Sequence, residues 1–181
     1  MVGMPIIDVY ASSRTKTVNM DFKNLDYLKH GSTIQQLAYR ELSALKIMWV
    51  LDEFHPVLTG TIPLDIAISS SDLDISCTVK NHDEFKQKLF KNYAEQSDFS
   101  FKTTSRFGET ASICCFEGEH FKIEIFGQHL EVTQQNAYRH MIIDHKILKE
   151  NDNNFSREII KLKSEGLKNR ACFRKIASIG R

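Results

Sequence analysis

The chain has 181 residues, 41% of them hydrophobic and 26% charged, and a formal net charge of +1. This is an ordinary globular composition with length enough for one domain and a real core, and the overall charge argues for neither a nucleic-acid nor a membrane partner. No stretch approaches the roughly 18 apolar residues of a membrane span, and residues 1–20 lack a basic segment followed by a long apolar one, so neither a span nor a secretory leader is expected. The four cysteines, Cys77, Cys114, Cys115 and Cys172, show no Cys-x-x-Cys spacing. That disfavours zinc and dithiol chemistry and suits free, buried thiols in a reducing cytoplasm.

Residues 1–20 have no sustained period and read as a tail or an added strand. Residues 21–181 read as a single α+β domain, a mixed sheet with helices packed on it and a helical C-terminal segment. Asp21 to Leu28 gives one or two helical turns. Ser32 with Gln35 has capping-box spacing ahead of a long helix whose apolar face takes in Leu37, Ala38, Leu42, Leu45 and Trp49. Pro56 closes that region, and a short strand from Val57 ends at Gly60.

After the turn at Pro63 a strand is expected from about Ser71 to Val79. Asn81 with Glu84 caps a helix whose inner face is Phe85, Leu89, Phe90 and Tyr93. Three strand-like runs follow, Phe99 to Phe107, Thr110 to Phe116 and Phe121 to Phe126, separated by turns at Gly108 and at Glu117-Gly118-Glu119. The pattern is helical again from about Thr133 to Lys149, with Ala137, Met141, Ile142 and Leu148 inward. A loop over Asn151 to Asn154 leads into a final helix interrupted at Gly166.

The chemistry concentrates in Leu58-Thr59-Gly60-Thr61-Ile62-Pro63 and Ser71-Asp72-Leu73-Asp74-Ile75. Side chains alternate on a strand, so Asp72 and Asp74 share one face while Leu73 and Ile75 face the core. Carboxylates crowded on one face repel each other unless a cation lies between them. In Lys122-Ile123-Glu124-Ile125-Phe126 the residue opposite the apolar pair is Glu124. If this strand lies beside the Asp72–Asp74 strand, three carboxylates surround a small space suited to Mg²⁺ and a nucleoside triphosphate. The Gly60-Thr61 turn would offer N–H groups and a hydroxyl to phosphate.

These stretches resemble the nucleotidyltransferase superfamily, the polymerase-beta-like fold: an apolar residue and a Gly-Thr turn, a ten-residue gap, an Asp-x-Asp flanked by apolar residues, and a later carboxylate. Thr61 stands where the superfamily usually has Ser or Gly, and Glu124 where Asp is commoner. More narrowly, Gly60-Thr61-Ile62-Pro63 with Ser71 to Ile75, Ile123-Glu124-Ile125-Phe126-Gly127-Gln128, and Gln135-Asn136-Ala137-Tyr138-Arg139-His140-Met141 resemble the DUF4269 family of uncharacterised bacterial proteins.

The resemblance implies transfer of a nucleoside monophosphate from an NTP to a hydroxyl acceptor. Asp72, Asp74 and Glu124 would be the catalytic residues and the ligands of Mg²⁺, or of Mn²⁺ in its place. Gly60, Thr61, Arg139 and His140 would bind the nucleotide, with Gln128 and Gln135 as further base or ribose contacts. The alternative is a catalytically silent nucleotide- or partner-binding module on the same fold. From Arg157 onward the chain carries eight Lys/Arg against two Asp/Glu. A basic helix bearing Lys161, Lys163, Lys168, Arg170, Arg174 and Lys175 would attract nucleic acid, but no stacking aromatics are interleaved with it, so nucleic acid is not the favoured partner.

Overall fold

The computed structural model describes residues 21–106 and 109–179. The expectations for residues 1–20 and for a turn at Gly108 therefore lie outside the described residues. The elements are α1 (Thr33–Ala44), α2 (Ile47–Val50), β1 (Val57–Thr59), β2 (Leu73–Thr78), α3 (His82–Tyr93), β3 (Ser97–Arg106), β4 (Glu109–Glu117), β5 (Lys122–Gln128), α4 (Asn136–Glu150), α5 (Asn153–Ser164) and α6 (Asn169–Ile179), with short 3₁₀ turns at Asp26–His30, Asp52–Phe54 and Val132–Gln134.

The five strands form one mixed sheet in the order β1-β2-β5-β4-β3. β2 and β5 run parallel; the other neighbouring pairs are antiparallel. The β2–β5 pairing joins elements about fifty residues apart, and α3 with the β3–β4 hairpin fills the crossover that a parallel pair requires. Alternation then sorts the faces. Ile123, Ile125, Leu73, Ile75 and Cys77 are buried beside Phe85 and Leu89 of α3 and Ala38 and Leu42 of α1. A Cβ on Gly127 would stand 2.6 Å from Val79 and 2.7 Å from Phe85, so this glycine lets α3 lie close on the sheet.

A second apolar cluster joins Leu64 and Ile66, from the loop after β1, to Met141 of α4, Ile159 and Leu162 of α5, and Cys172 and Phe173 of α6. The C-terminal helices are thus packed onto the loop that bears the Gly-Thr turn.

The capping box forms as its spacing requires: the Ser32 hydroxyl accepts from Gln35 N–H and the Gln35 side chain accepts from Ser32 N–H. The long helix behind it does not continue to Trp49. Lys46 takes a left-handed conformation (φ 53°), which ends α1 and redirects the chain so that Ile47 and Leu51 are buried, while Trp49 is 77% exposed. Two other expected inward residues also differ. Phe90 is 42% exposed and forms edge contacts with Phe99 and Phe101. Ala137 is exposed because its face of α4 borders a cleft instead of the core. The interruption at Gly166 is present, with φ +92° between α5 and α6.

Candidate active site

The strand register brings the acidic residues together. Asp74 of β2 is the pairing partner of Glu124 of β5, and Thr59 of β1 and Cys115 of β4 flank them, so the row Thr59–Asp74–Glu124–Cys115 crosses four strands. Asp74 and Glu124 are half-buried on the face opposite the core residues Leu73, Ile75, Ile123 and Ile125. The Cys115 thiol lies 3.8 Å from Glu124 Oε2.

The fold fixes Asp74 against the glycine turn. Thr59 is 1% exposed, and its hydroxyl donates to the Asp74 carbonyl at 3.2 Å. Gly60 has φ +83°, a conformation disfavoured for residues with a Cβ, and a Cβ there would stand 2.4 Å from Asp74 Oδ2. Glycine is required twice at this position, once for the turn and once for the carboxylate.

The loop that follows is tied down at two points. The buried Gln35 side chain donates to Ile62 O at 2.9 Å, and the buried Lys163 ammonium donates to Ile66 O at 2.6 Å. The Thr61 hydroxyl donates to Ser71 Oγ at 3.4 Å, closing the loop just before Asp72.

The electrostatics are those of a crowded acidic site. Burial, then the Glu124 carboxylate, then Asp72 push the Asp74 carboxyl up to about 7, and Lys163 pulls it partway back. Burial holds the Lys163 ammonium down to about 8 against the pull of Cys172 and Asp74. Although Lys163 belongs to the basic C-terminal stretch, it is 8% exposed and serves the interior.

The carboxylates open onto a cleft of about 470 Å³, within the range of ligand pockets. Its floor is β1, β2 and β5, with the Gly60-Thr61 turn at one side. Its wall is the face of α4 spaced Asn136, Ala137, His140, Met141, Asp144, together with Asn169 and Arg170 from the first turn of α6. The two helices are paired along this wall: His140 Nε2 contacts the Arg170 guanidinium, and Asn169 Nδ2 donates to Asp144 Oδ2 at 2.7 Å. Burial and the Arg170 and Arg139 charges push the His140 imidazole below its ordinary value, so a neutral ring accepts from Arg170.

Gly60, Thr61, Asp74, Glu124 and His140 therefore line one cleft, with Gln128 and Gln135 at its far end. Arg139 is exposed and does not line it, because consecutive helical residues stand roughly 100° apart and His140 occupies the inward direction. Asp72 precedes β2 and is half-buried outside the cleft lining, near enough to act on Asp74 through its charge. Arg170, Asn169, Asp144 and Ser76 join the site without having been singled out for it in sequence; the first two reach it only because the chain turns back at Gly166.

Among the described residues no group of three His, Cys, Asp or Glu side chains gathers into a ready metal cage. The donor set nonetheless fits a hard divalent cation. Mg²⁺ is commonly held by one or two carboxylates with the remaining positions taken by water and substrate phosphate. Asp74 and Glu124 supply two such carboxylates, whose repulsion adds to burial in raising Asp74 and would be relieved by a cation.

The sequence profile of the DUF4269 family, a domain of unknown function, matches residues 40–180, which include the glycine turn, the acidic row and both wall helices. The chain belongs to the DUF4269 family. No protein of curated function matches it by sequence. Among solved structures, this DUF4269 chain is similar to the Cid1 poly(U) polymerase bound to MgGTP, with a TM-score of 0.53 and 12% identity over 74% of the chain and 42% of the polymerase. Cid1 in complex with the UTP analogue UMPNPP gives 0.52 and 15%, covering 74% of this chain and 40% of that one. Cid1 with its short product ApU gives 0.52 and 15%, covering 74% and 41%. The DUF4269 chain thus has the polymerase-beta-like nucleotidyltransferase fold, and it spans about two fifths of the length of these polymerase chains. No helix among its described residues is long and apolar enough to cross a membrane.

Proposed function

We propose that this DUF4269 protein is a Mg²⁺-dependent nucleotidyltransferase, moving a nucleoside monophosphate from an NTP to a hydroxyl acceptor. The observation that carries the reading is the pairing of Asp74 with Glu124 across β2 and β5, beside a glycine turn in one cleft. The nucleotide-bound Cid1 structures of the same fold support it.

In this reading Asp74 and Glu124 hold the metal, and Asp72 adds negative charge from the start of β2. Bound Mg²⁺ would neutralise the phosphates and polarise the α-phosphoryl group. The Gly60-Thr61 turn cradles the β- and γ-phosphates through backbone N–H groups. Arg170, held by His140, faces the nucleotide from the helical wall and takes the place expected for Arg139. Glu124 accepts the proton of the acceptor hydroxyl. The acceptor oxygen bonds to the α-phosphorus while the bond to the bridging oxygen breaks, and pyrophosphate leaves with that electron pair.

Pyrophosphate release with mixed NTPs, Mg²⁺ or Mn²⁺, and an acceptor library tests the reading. The Asp72→Asn/Asp74→Asn double variant is expected to remain folded and to lose turnover by more than about a hundredfold, the scale of removing a transition-state electrostatic contact. Undiminished turnover in that variant would refute it.

A second reading has one specific observation in its favour: Asp72 stands outside the cleft lining. On that ground the chain is a catalytically silent nucleotide- or partner-binding module. It is distinguished by Mg²⁺-NTP binding without pyrophosphate release across the whole acceptor library.

A further inference from the structure

The strand register divides the cleft into two arms. Thr59 pairs with Asp74 in antiparallel sense, so Gly60 and Thr61 continue past the carboxylates toward the start of β2. β5 runs parallel to β2, so Phe126 lies beside Ser76 and Gln128 beside Thr78, toward the end of β2. Glu124, Phe126 and Gln128 alternate with the buried Ile123, Ile125 and Gly127 and so share the cleft face. The glycine turn and the Phe126–Gln128 track therefore lie on opposite sides of the Asp74–Glu124 pair.

That opposition has a chemical meaning under the proposed activity, on which this inference rests. Attacking and leaving oxygens stand roughly in line across the phosphorus. With the leaving pyrophosphate on the glycine turn, the acceptor hydroxyl must approach along the other arm.

We propose that the Phe126–Gln128 arm is the acceptor subsite, and that it takes the hydroxyl of a small, neutral, ring-bearing polyol: a sugar or a nucleoside. The half-buried Phe126 ring offers an apolar face for a sugar or base ring. Gln128 and Asn136 line the same cleft with carboxamides, which donate and accept without charge. Among the described residues lining the cleft, Arg170 on the helical wall is the sole Lys or Arg, so this arm lacks the cations a phosphodiester chain requires.

An independent observation comes from Gln135. It is 2% exposed, and its Nε2 is fully engaged with Cys77 O at 2.9 Å and Leu130 O at 2.8 Å. Its Oε1 is buried without a partner. An orphaned buried acceptor is unfavourable, and the two bonds from its Nε2 hold Gln135 in place at the cleft lining. From Glu124 to Gln128 the track is about 13 Å long at roughly 3.3 Å per residue, which accommodates one sugar or nucleoside.

The test uses the full chain saturated with Mg²⁺ and a non-hydrolysable NTP analogue. Ligand-observed NMR titrations with glucose, galactose, adenosine and uridine, and with a short RNA oligonucleotide, identify which acceptor class binds. At least one neutral probe is expected to bind, and Phe126→Ala and Gln128→Ala are each expected to weaken it about tenfold, corresponding to about 1.4 kcal/mol, while analogue affinity moves less than about twofold. Three results would overturn the assignment: neutral probes fail to bind while the analogue does; the RNA alone binds; or Phe126→Ala weakens the analogue instead of the probe. Failure of the analogue itself to bind refutes the nucleotide reading and this inference with it.

Discussion

Asp74 is held in a place that ordinary solvation would not favour. Its backbone is fixed by Thr59, its carboxylate lies under the Gly60 turn, and Glu124 faces it across one strand pair. A carboxyl raised to about 7 binds its proton more tightly in the folded chain than in the unfolded one, where it titrates near 3.9. The resulting stabilisation is fully present below about pH 4 and is lost as pH rises through 7. Metal-free protein should therefore lose up to about 2.5 kcal/mol of stability from this residue between pH 5 and pH 8. Asp74→Asn should flatten that dependence and be the more stable form at pH 8. Urea unfolding in chelator at the two pH values checks this; parallel pH profiles for the two proteins would show that Asp74 titrates normally. A residue that destabilises the empty fold and is retained by rigid neighbours fits a functional role better than a structural one.

The loop between β1 and β2 depends on two helices that are far from it in sequence. Gln35 serves α1 as a capping residue and reaches Ile62, while Lys163 of α5 reaches Ile66. Lys163→Met removes a buried charge but leaves the Ile66 carbonyl unpaired and takes away the cation that moderates Asp74. A net loss of about 1–3 kcal/mol is expected, together with an upward shift in the pH at which the Asp74 contribution disappears. Denaturation of Lys163→Met across pH measures both. An unchanged profile would mean that the strut bears no relation to the acidic site.

Elements of this kind show what the sequence made legible and what it did not. The capping box, the Asn81-capped helix and the alternation at Leu73–Ile75 and Ile123–Ile125 are local patterns, and they form as written. Lys46 carries no glycine or proline signal for a helix break, so the burial of Ile47 and Leu51 in place of Trp49 could not be read locally. In sequence Lys163 is one of a row of basic residues, and its burial depends on the return of α5 over the loop. Arg170 was indistinguishable from its basic neighbours until the turn at Gly166 set it against His140.

Across the molecule, the two apolar clusters divide the labour. One builds the sheet and fixes strand order; the other joins α4, α5 and α6 to the loop after β1 and so forms the cleft wall. The Asp-x-Asp and the Gly-Thr turn lie within the eighteen residues from Leu58 to Ile75, but the third carboxylate acquires meaning only with β5 beside β2. The strand order, more than the motif, brings Glu124 to Asp74.

The proposed metal site can be tested by calorimetric titration of a non-hydrolysable NTP analogue into wild type, Asp74→Asn and Glu124→Gln, with Mg²⁺ and with chelator. A cation shared by the paired carboxylates predicts Mg²⁺-dependent binding in wild type, weakened at least about tenfold, or about 1.4 kcal/mol, in each variant. Binding of equal strength with and without Mg²⁺, unchanged by either substitution, would contradict it.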